Sequence, residues 1–126
     1  MKREITMKRI LIAGHRPEIA KLFELLMRQQ DRQFVSAKSL TQCFDLSINT
    51  VPALIVIDCA MAELCRCHEA VVALKGSSKT AEIPIVLIDD PQQGDEDIRK
   101  LLDIVDGVFS EPFSPTEIKR TAEKYL

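Results

Sequence analysis

Three short apolar runs constrain the fold of this chain more than any other feature of its sequence. They cover residues 10–13, 54–57 and 83–88, and none of them alternates between apolar and polar residues. Strands of a parallel sheet that is covered on both faces have this pattern. Residues 107–109 form a shorter run, and residues 34–37 form a more polar one that suits a strand at a sheet edge. We therefore predict five strands.

Helical periodicity fills the segments between these runs. Apolar residues recur at intervals of three and four after Pro17, and again over residues 40–48 and 64–74. A fourth helix is predicted over residues 95–102, which begin with acidic residues, and a fifth follows the capping box at residues 114–117. Alternation of strands and helices predicts an α/β three-layer sandwich, with a five-stranded parallel sheet between two layers of helices.

The length and charge of the chain narrow the class of protein. We predict that residues 1–126 form a single domain, whose core spans about residues 8–126. Because 17 basic and 19 acidic residues leave a net charge of −2, a nucleic-acid-binding function is not expected. No apolar run approaches the roughly 18 residues that a membrane span needs. The four cysteines do not suggest a secreted disulfide framework, so we expect a cytoplasmic protein.

Polar residues follow the predicted strands at one edge of the sheet. Ligands of such sheets bind beyond the carboxyl ends of the strands, so these residues are expected to converge on a functional site. The converging residues are Gly14, His15, Arg16, Asp58, Asp89, Asp90 and the turn at 110–113.

The order and spacing of these segments resemble the receiver domain of bacterial two-component response regulators. The matching segments are residues 10–12 with Pro17, 52–58, 83–87 and 110–115, within a match over about residues 8–126. The resemblance implies the flavodoxin-like strand order 2-1-3-4-5. It places Asp58 at the position of the aspartate that accepts a phosphoryl group from a histidine kinase. It also implies a cis Glu111–Pro112 bond.

The same resemblance implies the partners. They are proteins, either a histidine kinase or a downstream signalling protein. A partner or a second copy of the chain would dock on the face formed by the fourth helix, the fifth strand and the fifth helix. The chain ends with the fifth predicted helix, so we expect either a stand-alone receiver or a piece of a larger protein.

The chain departs from the receiver pattern around the phosphoacceptor position. Gly14 and His15 stand where receivers carry two acidic residues that help to hold Mg²⁺. Asp89 replaces a hydroxyl residue, and Glu111 replaces the lysine that contacts the phosphoryl oxygens. Val108 stands at the position of the aromatic switch residue.

These departures bear directly on phosphoryl transfer. A phosphoryl group in transit spreads negative charge over its oxygens, which a metal ion and fixed donors must neutralise. Mg²⁺ prefers carboxylate oxygens, which a glycine and an imidazole do not supply. We therefore expect a pseudo-receiver that uses no Mg²⁺ or other cofactor, is not an enzyme, and acts through phosphorylation-independent protein contacts.

The substitutions also exchange charge between loops. The first loop gains His15 and Arg16, whereas the fourth and fifth loops gain Asp89 and Glu111. One hypothesis is that Arg16 or His15 pairs with Asp89 or Glu111 across the crevice and fixes one conformation. A second hypothesis is that Asp58, Asp89 and Glu111, with His15, form a rearranged cation site.

Two further functions stay open as alternatives. The chain could be a normally phosphorylated receiver that tolerates its altered site. It could also be a flavodoxin-like nucleotide- or flavin-binding protein, although its first loop lacks the glycine and hydroxyl residues that cradle a phosphate.

A cysteine-rich segment follows the third strand. It contains Cys59, Cys65, Cys67 and His68, without a Cys-x-x-Cys motif. On a helix Cys65 and Cys67 point to nearly opposite faces, so a structural zinc site is not predicted. We expect reduced thiols that are buried or partly buried.

Overall fold

The computed structural model describes residues 7–14, 16–59, 64–89 and 100–126, with the side chains of residues 64–67 excepted. The strands are β1 (Lys8–Ala13), β2 (Arg32–Ala37), β3 (Leu54–Asp58), β4 (Ile85–Ile88) and β5 (Gly107–Phe109). The helices are α1 (Pro17–Met27), α2 (Leu40–Thr50), α3 (Leu64–Gly76) and α4 (Pro115–Tyr125). No helix within these ranges is long and apolar enough to cross a membrane.

The five strands form one parallel sheet in the order β2-β1-β3-β4-β5. Helices α1 and α4 pack on one face of the sheet, and α2 and α3 pack on the other. The predicted three-layer α/β sandwich and its strand order are therefore confirmed. Most of the helix predicted over residues 95–102 lies outside the described residues, although residues 100 and 101 are helical.

The central strands send side chains to both helical layers. In β1, Ile10 and Ile12 face α1 and α4, whereas Leu11 and Ala13 face α2 and α3. Every residue of β3 is buried. Alternate side chains of a strand point to opposite faces, so a strand covered on both sides has no position that needs a polar residue. This explains the uninterrupted apolar runs of the sequence.

Local signals set the ends of the elements. Ser114 caps α4, since its hydroxyl oxygen accepts a hydrogen bond from the Glu117 amide at 3.3 Å. Strand β4 begins at Ile85 and not at Ile83, because Pro84 has no amide hydrogen to add to a strand ladder. The Pro84 carbonyl still accepts from the Ile55 amide at 3.0 Å.

Candidate functional site

The ends of β1 and β3 lie side by side at the carboxyl edge of the sheet. Ala13 is paired with Ile57, so Gly14 and Asp58 leave the two strands as neighbours. A Cβ atom placed on Gly14 would lie 3.1 Å from the Asp58 Cβ, which is tighter than an ordinary contact. Because Gly14 has no side chain, it leaves space for the side chain of Asp58.

Asp58 is bound through both carboxylate oxygens by Arg16. Arg16 Nε lies 2.7 Å from Asp58 Oδ2, and Arg16 Nη2 lies 2.8 Å from Asp58 Oδ1. The Asp58 side chain is only 3% exposed and that of Arg16 is 25% exposed. Paired donors facing paired oxygens form the strong bidentate geometry of arginine and carboxylate. The negative charge of a buried carboxylate is thus compensated within the chain.

The start of α1 fixes the backbone from which this guanidinium extends. Arg16 is the N-cap residue, in an extended conformation, and Pro17 follows at the first helical position. The Arg16 carbonyl accepts hydrogen bonds from the Ile19 and Ala20 amides at 3.1 and 3.2 Å. The arginine is therefore held by the first turn of a helix.

The same guanidinium binds a second carboxylate across the crevice. Arg16 Nη1 lies 3.2 Å from Glu111 Oε1, and the Glu111 side chain is 41% exposed. The hydrogen bond to Asp58 raises the pKa of Arg16 above its already high ordinary value, and the Glu111 contacts add to this against an opposing desolvation cost. Arg16 therefore keeps its positive charge under all ordinary conditions.

Aromatic packing holds the loop that carries Glu111. The Phe23 ring of α1 packs edge-to-face against Phe109, with the ring centroids 5.4 Å apart. It packs in the same way against Phe113, at 5.5 Å. The Glu111–Pro112 bond between these two rings is cis, as the resemblance implied. Helix α1 thus holds this loop through an ion pair and through an aromatic cluster.

The hypothesis that Arg16 pairs with Glu111 is confirmed by this geometry. The contact between Arg16 and Asp58 was not predicted, although two signals pointed to it. A parallel β1–β3 pair places the residues after β1 beside Asp58, and a buried aspartate needs a cation or donors. His15, the other basic residue considered for this pairing, lies outside the described residues, as does Asp90.

Asp89 does not take the predicted part in the ion pair. It lies at the end of β4, where its amide donates to the Phe109 carbonyl at 2.8 Å. Its half-buried carboxylate has no hydrogen bond or ion pair with any other residue of the described segments. Val108, at the predicted switch position, is partly buried against the core on the α2 and α3 side. The alternative that joined Arg16 to Asp89 is thus wrong.

The hypothesis of a rearranged cation site is not supported. Over the described ranges, no group of three histidine, cysteine, aspartate or glutamate side chains could hold a metal ion. The cation that bridges Asp58 and Glu111 is the guanidinium of Arg16. Nor do these residues suit Mg²⁺, because Gly14 has no side chain to supply a carboxylate and both Asp58 oxygens accept hydrogen bonds from the positively charged Arg16.

Two of the cysteines are buried thiols in the described part of the chain. They are Cys43 and Cys59, which belong to the core between the sheet and helices α2 and α3. The expectation of buried thiols in the segment after β3 is therefore confirmed for Cys59. The side chains of Cys65 and Cys67 lie outside the described part, and His68 is half-buried on α3.

Comparisons with known proteins agree with this architecture. No family model and no curated protein matches the chain. The receiver domain of the sensor histidine kinase PA1611 from Pseudomonas aeruginosa PAO1 is similar, with a TM-score of 0.78, 16% identity, and coverage of 95% of this chain and 98% of that one. The chemotaxis response regulator CheY4 of Vibrio cholerae has a TM-score of 0.75 and 17% identity, with coverage of 96% and 100%.

A further neighbour has the highest identity of these three structures. The signal receiver domain of a histidine kinase from Syntrophus aciditrophicus has a TM-score of 0.75 and 22% identity, with coverage of 94% of this chain and 89% of that one. The structure of the Pseudomonas domain contains a magnesium ion coordinated in its active-site cleft. At these identities the likeness establishes the fold, which is that of response-regulator receiver domains.

Proposed function

We propose that this chain is a receiver-type signalling module of a two-component pathway that acts through protein contacts without phosphorylation of Asp58. The receiver fold and the position of Asp58 at the end of β3 support the first part of the proposal. The bidentate contact between Arg16 and Asp58 carries the second part.

An acceptor aspartate needs an oxygen that is free to attack phosphorus. In this chain both Asp58 oxygens already accept hydrogen bonds from the guanidinium. Each oxygen keeps a further lone pair, but the carboxylate is only 3% exposed with Arg16 in place, so we infer that Arg16 must move aside before a phosphoryl donor can reach it. Breaking a buried ion pair typically costs roughly 3–5 kcal/mol, and the partial exposure of Arg16 reduces this to about 2–3 kcal/mol, which would be added to the barrier of the transfer.

The surrounding charges also disfavour a phosphoryl group. Glu111 stands where receivers carry a lysine, and Asp89 follows β4 where they carry a hydroxyl residue. A phosphorylated Asp58 would face these two carboxylates with a single described arginine nearby to offset them. Like charges that lie close together in a partly buried site disfavour the charged form.

The proposal extends to partners and setting. We place the chain in the cytoplasm as a single domain over residues 1–126, bound to a histidine kinase or a downstream signalling protein. It binds no nucleic acid and is a signalling module, not an enzyme. Docking, or a homodimer, would use the face formed by the segment 95–102, β5 and α4. Of this face, β5 and α4 line an open pocket of about 200 Å³ whose walls include Val108, Arg120 and Tyr125.

Titration with a phosphoryl analogue and with a phosphoryl donor provides the decisive test. ¹⁵N-labelled protein would be titrated with beryllofluoride and Mg²⁺, and separately with acetyl phosphate and Mg²⁺. We expect the amide signals of Gly14, Asp58 and Glu111 to stay in place, while a receiver with its acidic pair intact shifts under the same conditions. Shifts that occur in the wild type and vanish in Asp58→Asn would overturn the proposal and support a normally phosphorylated receiver. A flavin chromophore in the purified protein would instead support the flavodoxin-like alternative.

A further inference from the structure

Arg16 binds two groups that belong to different parts of the fold. Asp58 ends β3 in the centre of the sheet, and Glu111 lies in the loop after the edge strand β5. Glu111 is three residues before Ser114, whose hydroxyl caps α4. The guanidinium thus connects the sheet centre to the loop that leads into the last helix.

We propose that Arg16 couples the state of the Asp58 carboxylate to the position of the loop 110–114 and the first turn of α4. Any change that removes the charge of Asp58, or occupies its oxygens, weakens the two charge-assisted hydrogen bonds that anchor the guanidinium or removes them. Arg16 then keeps Glu111 as its carboxylate partner among the described residues. The guanidinium moves toward Glu111, and the loop responds.

Other side chains near the site do not provide this connection. The Asp89 carboxylate has the same sign of charge as Asp58 and donates no hydrogen bond. Val108 has an apolar side chain that packs into the core on the α2 and α3 side. Arg16, in contrast, contacts Asp58 and Glu111 directly. A connection through packed and hydrogen-bonded groups is a physical route along which two sites can be coupled.

The two contacts of Arg16 are unequal, which gives the proposal a specific signature. The Asp58 contact has two short hydrogen bonds on a buried carboxylate, whereas the Glu111 contact is a single bond of 3.2 Å on an exposed one. Neutralising Asp58 therefore releases the main anchor of Arg16. Neutralising Glu111 leaves the guanidinium in place on Asp58.

A cycle of substitutions read by NMR tests the coupling in the unphosphorylated protein. We expect Asp58→Asn to shift the amide signals of residues 110–117, and this perturbation to be lost when Asp58→Asn is introduced into Arg16→Gln protein. Glu111→Ala removes the acceptor oxygen at an exposed residue and serves as a second background if Arg16→Gln does not fold. In that background too, the perturbation of residues 113–117 by Asp58→Asn is expected to be lost.

The amide of Thr80, which lies in a loop beyond α3, reports on structural change that spreads through the fold, and its signal is expected to stay unchanged. Equal shifts of residues 113–117 with and without the Arg16 or Glu111 substitution would overturn the proposal. So would the absence of any shift at 110–117 in Asp58→Asn. Neither result depends on whether Asp58 accepts a phosphoryl group, so this test and that of the proposed function fail separately.

Discussion

Arg16 donates to both carboxylate oxygens of Asp58, over 2.7 and 2.8 Å, although the two residues are 42 positions apart in the sequence. The arginine stands at the N-cap of α1, and the aspartate is the last residue of β3. The pair therefore joins the first crossover of the fold to its central strand. The same pair of hydrogen bonds compensates the buried charge of Asp58 and occupies both oxygens of the candidate acceptor.

Removal of this arginine is expected to destabilise the protein. Arg16→Ala would remove the guanidinium from the buried carboxylate of Asp58, and loss of one partner of a buried ion pair typically costs about 3–5 kcal/mol. Because a quarter of the Arg16 side chain is exposed and water can enter, we expect a loss of about 2–3 kcal/mol in the free energy of unfolding, measured in urea. Arg28→Ala is the matched control. It removes an exposed pair with Glu24 at 3.7 Å, for which about 0.5 kcal/mol or less is expected. Equal losses in the two variants would contradict this account.

The close approach of Gly14 to Asp58 gives a second prediction. Gly14→Ala places a methyl group 3.1 Å from the Asp58 Cβ, so the carboxylate must shift away from its position under Arg16. We expect a loss of about 1–2 kcal/mol, measured as a lower urea midpoint. Gly76→Ala is the control because a Cβ there meets no atom within 4 Å. It should be neutral or should stabilise the protein by about 0.5 kcal/mol. A Gly14→Ala variant as stable as Gly76→Ala would show that the contact is not tight.

The fold could be predicted from the sequence because its signals are local and repeated. Uninterrupted apolar runs such as 54–57 identify buried parallel strands, and the spacing of apolar residues after Pro17 identifies α1. The exact start of β4 could not be predicted in the same way, because Ile83 and Pro84 continue the apolar run without joining the strand. Apolar character reports burial, whereas strand bounds also depend on which amide groups are available to the ladder.

The site was predictable only in part. The sequence predicted that Asp58 and the loops carrying Arg16 and Glu111 meet at one edge of the sheet, and it offered the pairing of Arg16 with Glu111 as one of several alternatives. It did not identify Asp58 as the main partner of Arg16, because that contact depends on how an arginine side chain folds back over the end of a neighbouring strand. Such a direction is set by the start of α1 and by the space beside Gly14, and neither is a property of one residue type.

A strained backbone position offers a stabilising change. Val51 follows α2 with φ 44° and ψ 69°, in the left-handed region, and its side chain is exposed. This conformation costs an L-residue about 1–2 kcal/mol, and glycine avoids the cost at an entropic penalty of about 0.5–1 kcal/mol. Val51→Gly should therefore raise the free energy of unfolding by about 0.5–1 kcal/mol in thermal or urea melts. Val72→Gly, at an exposed site within α3, should lower it by a similar amount. A loss of stability in Val51→Gly would show that the valine is not strained.

The position of the compensating cation can be tested by moving it. Receivers carry a lysine where this chain has Glu111, on the opposite wall of the crevice from Arg16. In an Arg16→Ala background, Glu111→Lys would return one cation to the neighbourhood of Asp58, from the loop after β5. Because a hydrogen bond to a charged group contributes about 1.5–3 kcal/mol, we expect the double variant to recover about 1 kcal/mol relative to Arg16→Ala alone.

Glu82→Lys in the same background makes the same change of net charge at an exposed residue before β4, and it should recover nothing. Equal recovery by the two lysines would mean that net charge, and not a cation at Asp58, limits stability. No recovery by either lysine would mean that this carboxylate accepts compensation only from the start of α1.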